Sequence, residues 1–388
     1  MRRIPLLIPR MPSADKVYPY LRKIDQNRIY TNYGPLNGEF EQRLATELGQ
    51  GLEPAHLTTV SNCTVGLELA IQALALPAGA RVLLPSLTFV ATATAIVRVG
   101  ATPLFSDIDP SGWCLTPAIA EDALARGEAF DLVMPVSTFG KQHDVTAWDD
   151  FSAKTGIPVL IDAAGAFGNQ PIGRTTEVVF SFHATKSIGS GEGGLIVSFN
   201  AERIRRIRQL ANFGIDAARG ELIGLGTNGK LSEYHAAVGL AALDEWPDIV
   251  EQRRELHARY LRTLRQACPS VGLQDKDPDG IYPLLPVLLP DGVDALAIGG
   301  ALREQGIDTR RWSARRCTRM ACWPISTARA RWMLPLPSVT AFSVCRSSPV
   351  SLTRRSAPWS IRSHVRFPPS PPESSSEYDQ LRHSGLSQ

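Results

Sequence analysis

The sequence predicts an α/β protein whose central sheet is mostly parallel and is flanked by helices. Short apolar runs of strand length alternate with helical segments between residues 81 and 199. The runs lack the polar–apolar alternation of a strand with one solvated face, so both faces are expected to be buried. Polar residues, among them Asp107 and Asp162, end several of these runs, where ligands of parallel sheets collect.

Apolar runs supply the strands, and the segments between them supply the helices. A long amphipathic helix, 246–268, follows the sheet and is expected to lead into a second, smaller α+β domain. That domain would begin with a strand in 280–289 and a helix in 293–306. The predicted strands of the sheet are 81–86, 102–107, 132–136, 158–162, 178–182 and 195–199, and the helices around them are 67–76, 90–97, 117–125, 147–155 and 231–243.

Composition and charge are those of a globular chain. The 388 residues are 44% apolar and 20% charged, with a net charge of +3, which excludes a fibrous or wholly disordered protein. Six cysteines are too few for a disulfide scaffold, and Cys317 and Cys322 lack partners for a metal site, so no metal is expected. No run approaches the roughly 20 apolar residues of a membrane span, and residues 4–8 are too short for a signal-peptide core. A cytoplasmic enzyme is expected.

The segment that carries chemistry is Ser181-Phe-His-Ala-Thr-Lys186, followed by glycines up to Gly194. A lysine in a loop is most often solvated. Here it lies between two buried strands and among small residues, which makes it a candidate for Schiff-base chemistry. Asp162 ends a strand 24 residues earlier. Pyridoxal phosphate (PLP) requires both a reactive lysine and an acid that keeps its ring nitrogen protonated.

Two further segments fit a cofactor less specifically. Ser61-Asn-Cys63-Thr64 opens a predicted helix, where backbone N–H groups can bind a phosphate, although the same residues make an ordinary helix cap. Phe89 directly follows a strand. A phenylalanine there is most often a core residue, and otherwise a platform on which a cofactor ring stacks.

Together these segments resemble the DegT/DnrJ/StrS aminotransferases, fold-type I PLP enzymes that act mainly on keto-sugars linked to nucleotides. The resemblance covers roughly residues 30–311, and its motifs occur in the family's order. They are Asn32 to Glu41, Ser61 to Thr64, Pro85 to Thr92, Asp162-Ala-Ala, Ser181 to Lys186, Gly191 to Gly194 and Gly226 to Glu233.

The resemblance implies a role for each site residue. Lys186 would form the Schiff base and move protons, Asp162 would pair with the ring nitrogen, and Phe89 would stack on the ring. An amino acid, expected to be glutamate, would leave its amino group on the cofactor as pyridoxamine phosphate, and a keto-sugar nucleotide would then receive it. The implied phosphate ligands are Cys63, Thr64 and Ser181, together with Asn228 from the neighbouring subunit of a homodimer.

Two positions depart from the family pattern. Gly165 stands where the family usually has a glutamine near the phenolic oxygen of the cofactor, and Phe167 stands where a histidine is common. Altered tuning of the ring is therefore expected, rather than loss of binding. Lys186 itself favours transamination, because the dehydrating members of the family replace this lysine with histidine. His183, beside the catalytic loop, would contact substrate or serve the structure.

The last residues break the pattern. From Arg311 onward the chain holds 12 Arg, no Lys and three acidic residues, so this segment carries +9 and the first 310 residues carry −6. Such a bias arises when a GC-rich gene is translated in the wrong frame, and we expect a reading-frame shift near Trp312. A natural disordered extension and a nucleic-acid-binding tail are the alternatives. Because the catalytic part is acidic, neither a nucleic-acid nor a membrane partner is expected.

The sequence thus predicts four parts. They are an N-terminal arm (1–29), a large PLP-binding domain (30–245), a linking helix with the start of the small domain (246–311) and the atypical tail (312–388). The expected function is amino transfer from an amino acid to a keto-sugar nucleotide. Two alternatives stay open: an inactive or regulatory relative, including a damaged gene product, and a PLP-dependent sugar dehydratase.

Overall fold

A seven-stranded sheet forms the centre of the molecule. The computed structural model describes residues 3–216, 218–312 and 339–342, the last four by their backbone alone. The strands of the sheet are β1 (Leu57–Val60), β2 (Arg81–Pro85), β3 (Thr102–Ser106), β4 (Leu132–Val133), β5 (Leu160–Asp162), β6 (Glu177–Ser181) and β7 (Gly194–Val197).

The sheet has the order β3-β2-β4-β5-β6-β7-β1. Parallel bridges from Val133 to Val159 and from Val136 to Asp162 join the ladder β3-β2-β4 to the ladder β5-β6-β7-β1. Only β7 runs against its neighbours β6 and β1, so the predicted mostly parallel sheet is confirmed. β4 is shorter than predicted because Pro135 has no N–H to donate; its carbonyl accepts from the amide of Asp162 at 2.9 Å instead.

Helices cover both faces of the sheet, and each face has its own core. Successive strand residues point to opposite faces, so Val178 and Phe180 enter one core while Val179 enters the other. The helices are α1 (Ala14–Asn27), α2 (Pro35–Leu48), α3 (Cys63–Ala73), α4 (Val90–Arg98), α5 (Pro117–Ala125), α6 (Val145–Thr155), α7 (Ala201–Ala211) and α8 (Glu233–Asp244). The short hairpin β8 (Ile215–Asp216) and β9 (Glu221–Leu222) lies between α7 and α8.

A smaller α+β region follows the long helix, as predicted. The long helix is α9 (Trp246–Ala267), and the elements after it are β10 (Gly272–Leu273), β11 (Leu285–Leu288), α10 (Ala295–Glu304), β12 (Arg310–Arg311) and β13 (Val339–Phe342). The strands form an antiparallel sheet in the order β10-β11-β13-β12. β13 therefore adds a strand within 312–388, where the sequence predicts none; apart from it and Trp312, that segment lies outside the described residues, and the frame-shift hypothesis stays a prediction.

The N-terminal segment, predicted as an arm, contacts both regions. Ile24 of α1 is fully buried in the main core. Before α1, Ile4 forms a parallel bridge with Ile307, and Arg3 pairs with Asp308 at 2.9 Å.

The described part of the chain has no membrane-spanning helix, no metal-binding cluster and no disulfide. None of its helices combines the length and the apolar character that crossing a membrane requires. Its His, Cys, Asp and Glu side chains nowhere gather in a group of three or more that could hold a metal ion. Its cysteines, Cys63, Cys114 and Cys268, are free thiols.

Candidate active site

Asp162 lies at the carboxyl end of β5 with a hydrogen-bond donor on each oxygen. Thr92 Oγ1 donates to Oδ2 at 2.6 Å, and the amide of Ala164 donates to Oδ1 at 3.1 Å. The side chain is buried, and burial raises the pKa of this carboxyl, while both hydrogen bonds and the charge of Lys186 oppose the rise. The result is a buried acid with a fixed orientation.

Lys186 lies in the loop between β6 and β7, which is closed by backbone hydrogen bonds. The amide of Lys186 donates to the carbonyl of His183 at 2.9 Å, and the amide of Ala184 donates to the carbonyl of Gly191 at 2.9 Å. The half-buried lysine is followed by Ser187, whose buried Oγ has no hydrogen-bond partner among the described residues. The loop therefore carries a half-buried lysine and, at the next position, a buried hydroxyl without a partner among the described residues.

The first turn of α3 lies against β7. Asn62 caps this helix by accepting from the amide of Val65 at 3.0 Å. A Cβ added to Gly194 would lie 2.9 Å from the nitrogen of Cys63, so only glycine permits this approach. Burial raises the pKa of the Cys63 thiol well above its ordinary value; the charge of Asp162 adds to the rise and that of Lys186 opposes it. Cys63, Asp162 and Lys186 are thus close enough to interact electrostatically.

Phe89 precedes α4 and keeps 56% of its surface exposed. Its carbonyl accepts from the amide of Thr92 at 3.2 Å, so one helical turn joins Phe89 to the hydroxyl that holds Asp162. The Phe89 ring is tilted against that of Trp312, with centroids 6.3 Å apart. Phe89, the predicted stacking platform, is therefore an exposed ring one helical turn from Thr92, the residue that donates to Asp162.

The predicted phosphate ligands of this chain lie around the start of α3. Ser181 ends β6 opposite Gly194, and its Oγ accepts from the amide of His183 at 3.3 Å. Thr64 is half-buried in the first turn of α3. The free N–H groups of a helix start, together with its dipole, attract a phosphate.

Asn228 lies on the surface of the protein. The carbonyl of the next residue, Gly229, accepts from the amide of Ser61 at 2.7 Å, which fixes this segment beside the start of α3. The role of Asn228 across a subunit boundary stays a prediction.

Sequence reasoning missed two hydroxyl groups of the site. Thr92 belongs to a motif that was recognised, but its contact with Asp162 joins residues 70 positions apart. Ser187 directly follows Lys186, and nothing in the residue order marks it as buried. His183 stays within its own loop: its Nδ1 lies 2.8 Å from Thr185 Oγ1, and its Nε2 lies 3.7 Å from Glu192.

The two departures from the family pattern have different structural consequences. Phe167 is a core residue whose ring packs edge-on against the rings of Phe180, Phe182 and Trp246. Gly165 has room for a side chain, because the nearest atom to an added Cβ is the nitrogen of Gly140 at 3.7 Å. Glycine is therefore not required at position 165 by steric crowding.

Comparisons with known proteins agree with this geometry. Residues 13–339 match the model of the DegT/DnrJ/EryC1/StrS aminotransferase family, a longer stretch than the 30–311 of the sequence resemblance. Over 299 residues the chain is 32% identical to the dTDP-4-amino-4,6-dideoxy-D-glucose transaminase of Escherichia coli, covering 75% of this chain and 78% of that protein. The structure of DesI with its TDP-sugar product superposes with a TM-score of 0.76 at 29% identity, over 89% of this chain and 88% of that one. NtdA of Bacillus subtilis with bound pyridoxamine phosphate has a TM-score of 0.77 at 23% identity, over 89% and 81%, and shares the fold.

The residues present fit PLP. A buried, oriented carboxylate suits its ring nitrogen, an amine suits its aldehyde, and a helix start suits its phosphate. The Ser187 hydroxyl is a buried polar atom without a partner among the described residues, as expected where a polar ligand binds.

Proposed function

The chain belongs to the DegT/DnrJ/EryC1/StrS aminotransferase family, and on that premise we propose that it transfers an amino group from glutamate to a keto-sugar linked to a nucleotide. It is an aminotransferase with PLP as its cofactor. The observation that carries the proposal is the buried Asp162, oriented by two donors and within electrostatic range of Lys186. The sugar-nucleotide class is supported by the names of the E. coli relative and of DesI.

Bound PLP would supply an electron sink for the substrate carbon that loses or gains a proton. The amine of Lys186 would hold the cofactor, and, once the donor amino acid has freed it, would carry that proton. Asp162 would keep the ring nitrogen protonated through its carboxylate. Phe89 would cover one face of the ring and exclude water from it. The amides of Cys63 and Thr64 would bind the phosphate, with the hydroxyl of Ser181.

The proposed assembly is a homodimer in which Asn228 contacts the phosphate held by the partner subunit. The proposal is supported by exposed apolar side chains in the segment that leads to Asn228: Phe213 is 51% exposed, Leu222 76% and Leu225 94%. A second chain packed on this segment would remove their apolar surface from water.

Two experiments test this function. The protein is incubated with PLP, reduced with borohydride and digested, and the modified peptide is identified; the label is expected on Lys186, and a label elsewhere would reject the assignment. The holoenzyme is then given glutamate and a panel of dTDP-linked keto-sugars, with the Lys186→Ala variant as control. An amino-sugar product supports the proposal, whereas loss of a hydroxyl without net amino transfer would favour the dehydratase alternative.

A further inference from the structure

Three side chains form a chain of hydrogen bonds that ends on the acid of the site. Thr88 Oγ1 lies 2.7 Å from Thr92 Oγ1, and Thr92 Oγ1 lies 2.6 Å from Asp162 Oδ2. Thr92 and Asp162 are 0% and 4% exposed, and Thr88 is 9% exposed. Water therefore has almost no access to the bonds that hold this carboxylate.

The protonation state of Asp162 determines the direction of these bonds. A threonine hydroxyl has one proton to donate, and an ionised carboxylate can only accept. When Asp162 is ionised, Thr92 must donate to it, and the Thr92 oxygen can then accept from Thr88, whose hydroxyl also lies 3.3 Å from a second acceptor, the carbonyl of Phe89. Hydrogen bonds aligned in this way polarise and strengthen one another in a buried setting. The arrangement therefore stabilises the ionised form of Asp162, against the effect of burial.

The second oxygen of Asp162 fixes the plane of the carboxylate. Because Oδ1 accepts from the amide of Ala164 while Oδ2 accepts from Thr92, the group cannot rotate without breaking one of the two bonds. Each oxygen keeps a lone pair for a further donor.

We propose that Thr92 is a positioning residue that keeps Asp162 ionised and in the orientation that the PLP ring nitrogen requires, with Thr88 as its supporting donor. This inference rests on the proposed function, because it takes Asp162 as the partner of that nitrogen.

The same helix offers a matched control. Thr94 lies two residues after Thr92 on α4, but its hydroxyl donates to the carbonyl of Val90 at 2.9 Å, within the helix. Thr94→Val therefore removes a hydroxyl from α4 without changing any contact of Asp162. Thr92→Ser keeps the hydroxyl and removes only a methyl group.

The test measures PLP affinity and the pH midpoint of the visible absorbance of bound PLP in Thr92→Val, Thr92→Ser, Thr94→Val and the parent protein. Thr92→Val is expected to weaken PLP binding by roughly 10- to 100-fold, since a buried hydrogen bond to a charge is lost. It is also expected to raise the pH midpoint, because a ring nitrogen that loses its proton withdraws fewer electrons from the nitrogen bound to Lys186. Thr92→Ser and Thr94→Val are expected to remain within about threefold of the parent protein, the scatter of such effects.

A Thr92→Val protein with the affinity and pH midpoint of Thr94→Val would overturn the inference. Should Thr92→Val not fold, Thr92→Ala decides instead: a raised midpoint supports the inference, and a midpoint equal to that of Thr94→Val rejects it. These outcomes are separate from the proposed function, because the parent protein can be labelled on Lys186 and transfer amino groups whether or not the Thr92 hydroxyl matters.

Discussion

Glu233 joins two helices of the large domain through a contact that one substitution can test. Its side chain is fully buried at the start of α8, and its carboxylate oxygens accept from the amides of Leu36 and Asn37, each at 2.8 Å. These amides belong to the first turn of α2, whose own cap residue, Gly34, has no side chain to offer. The negative charge of Glu233 also interacts favourably with the positive end of the α2 helix dipole. Glu233→Ala removes all of these interactions.

The loss can be worked from the two bonds. Each buried amide that loses its acceptor costs about 1–3 kcal/mol, so Glu233→Ala is expected to lower the free energy of unfolding by about 2–6 kcal/mol. Glu233→Gln keeps one acceptor oxygen and is expected to lose roughly half as much, about 1–3 kcal/mol. The alanine value is a large share of the ~5–15 kcal/mol by which a domain is usually stable.

Urea-induced unfolding followed by circular dichroism measures these differences. The control is Glu255→Ala, which removes an exposed carboxylate from α9 and is expected to leave the unfolding midpoint unchanged. The reasoning would be refuted by a Glu233→Ala protein that unfolds at the same urea concentration as Glu255→Ala. It would also be refuted by a Glu233→Gln protein less stable than Glu233→Ala.

Three further predictions concern buried charges and the open position in the site. Burial raises the pKa of Glu177, beside Arg203, from 4.5 to about 7, so its contribution to stability is present below pH 4.5 and is lost as the pH rises through 7. In urea unfolding, the free energy of unfolding of Glu177→Gln minus that of the parent protein should be about 2–3 kcal/mol larger at pH 8 than at pH 5. Equal differences at the two pH values would contradict this prediction. Burial lowers the pKa of Lys276 from 10.5 to about 7, so here stability is present above pH 10.5 and lost as the pH falls through 7. Lys276→Met should therefore raise the free energy of unfolding by ~1–4 kcal/mol at pH 7 and by much less at pH 10, and an equal gain at both pH values would count against the assignment. Gly165→Gln should change the free energy of unfolding by less than about 1 kcal/mol, because an added Cβ meets no atom closer than 3.7 Å. The visible absorbance of bound PLP should shift in this variant, and an unaltered spectrum would exclude contact between the glutamine and the ring.

The strands of the sheet could be predicted because burial on both faces leaves a continuous apolar run. β2 and β3 end within one residue of their predicted bounds. The direction of a strand leaves no such mark, so the antiparallel course of β7 could not be predicted from its apolar residues. Within the predicted run 132–136, only Pro135 indicates from the sequence why β4 is limited to two residues, because proline has no N–H to donate. The hairpin β8–β9 escaped prediction because each of its strands has only two residues, one apolar and one charged.

The chemical types of the site could be predicted, and their contacts could not. An acid at a strand end and a lysine before glycines indicate PLP chemistry, and the structure places both beside the start of α3. The hydrogen bond from Thr92 to Asp162 could not be predicted, because it joins the first turn of α4 to the end of β5 across 70 residues of chain. Such a contact depends on the crossing of two elements, which hydrophobic periodicity does not specify.

The motifs that identify the family divide into two physical kinds. Asp162 and Lys186 are proposed to hold the cofactor, whereas Gly34 and Glu233 contact each other: a Cβ on Gly34 would lie 2.8 Å from Glu233 Cδ. Gly34 and Glu233, which lie in two motifs about 200 residues apart in the chain, thus meet at one helix cap, and these two residues serve the fold. The two kinds should separate in experiment. Glu233→Gln is expected to lower stability while the folded fraction binds PLP with unchanged affinity, and Thr92→Val is expected to lower the affinity with a smaller loss of stability.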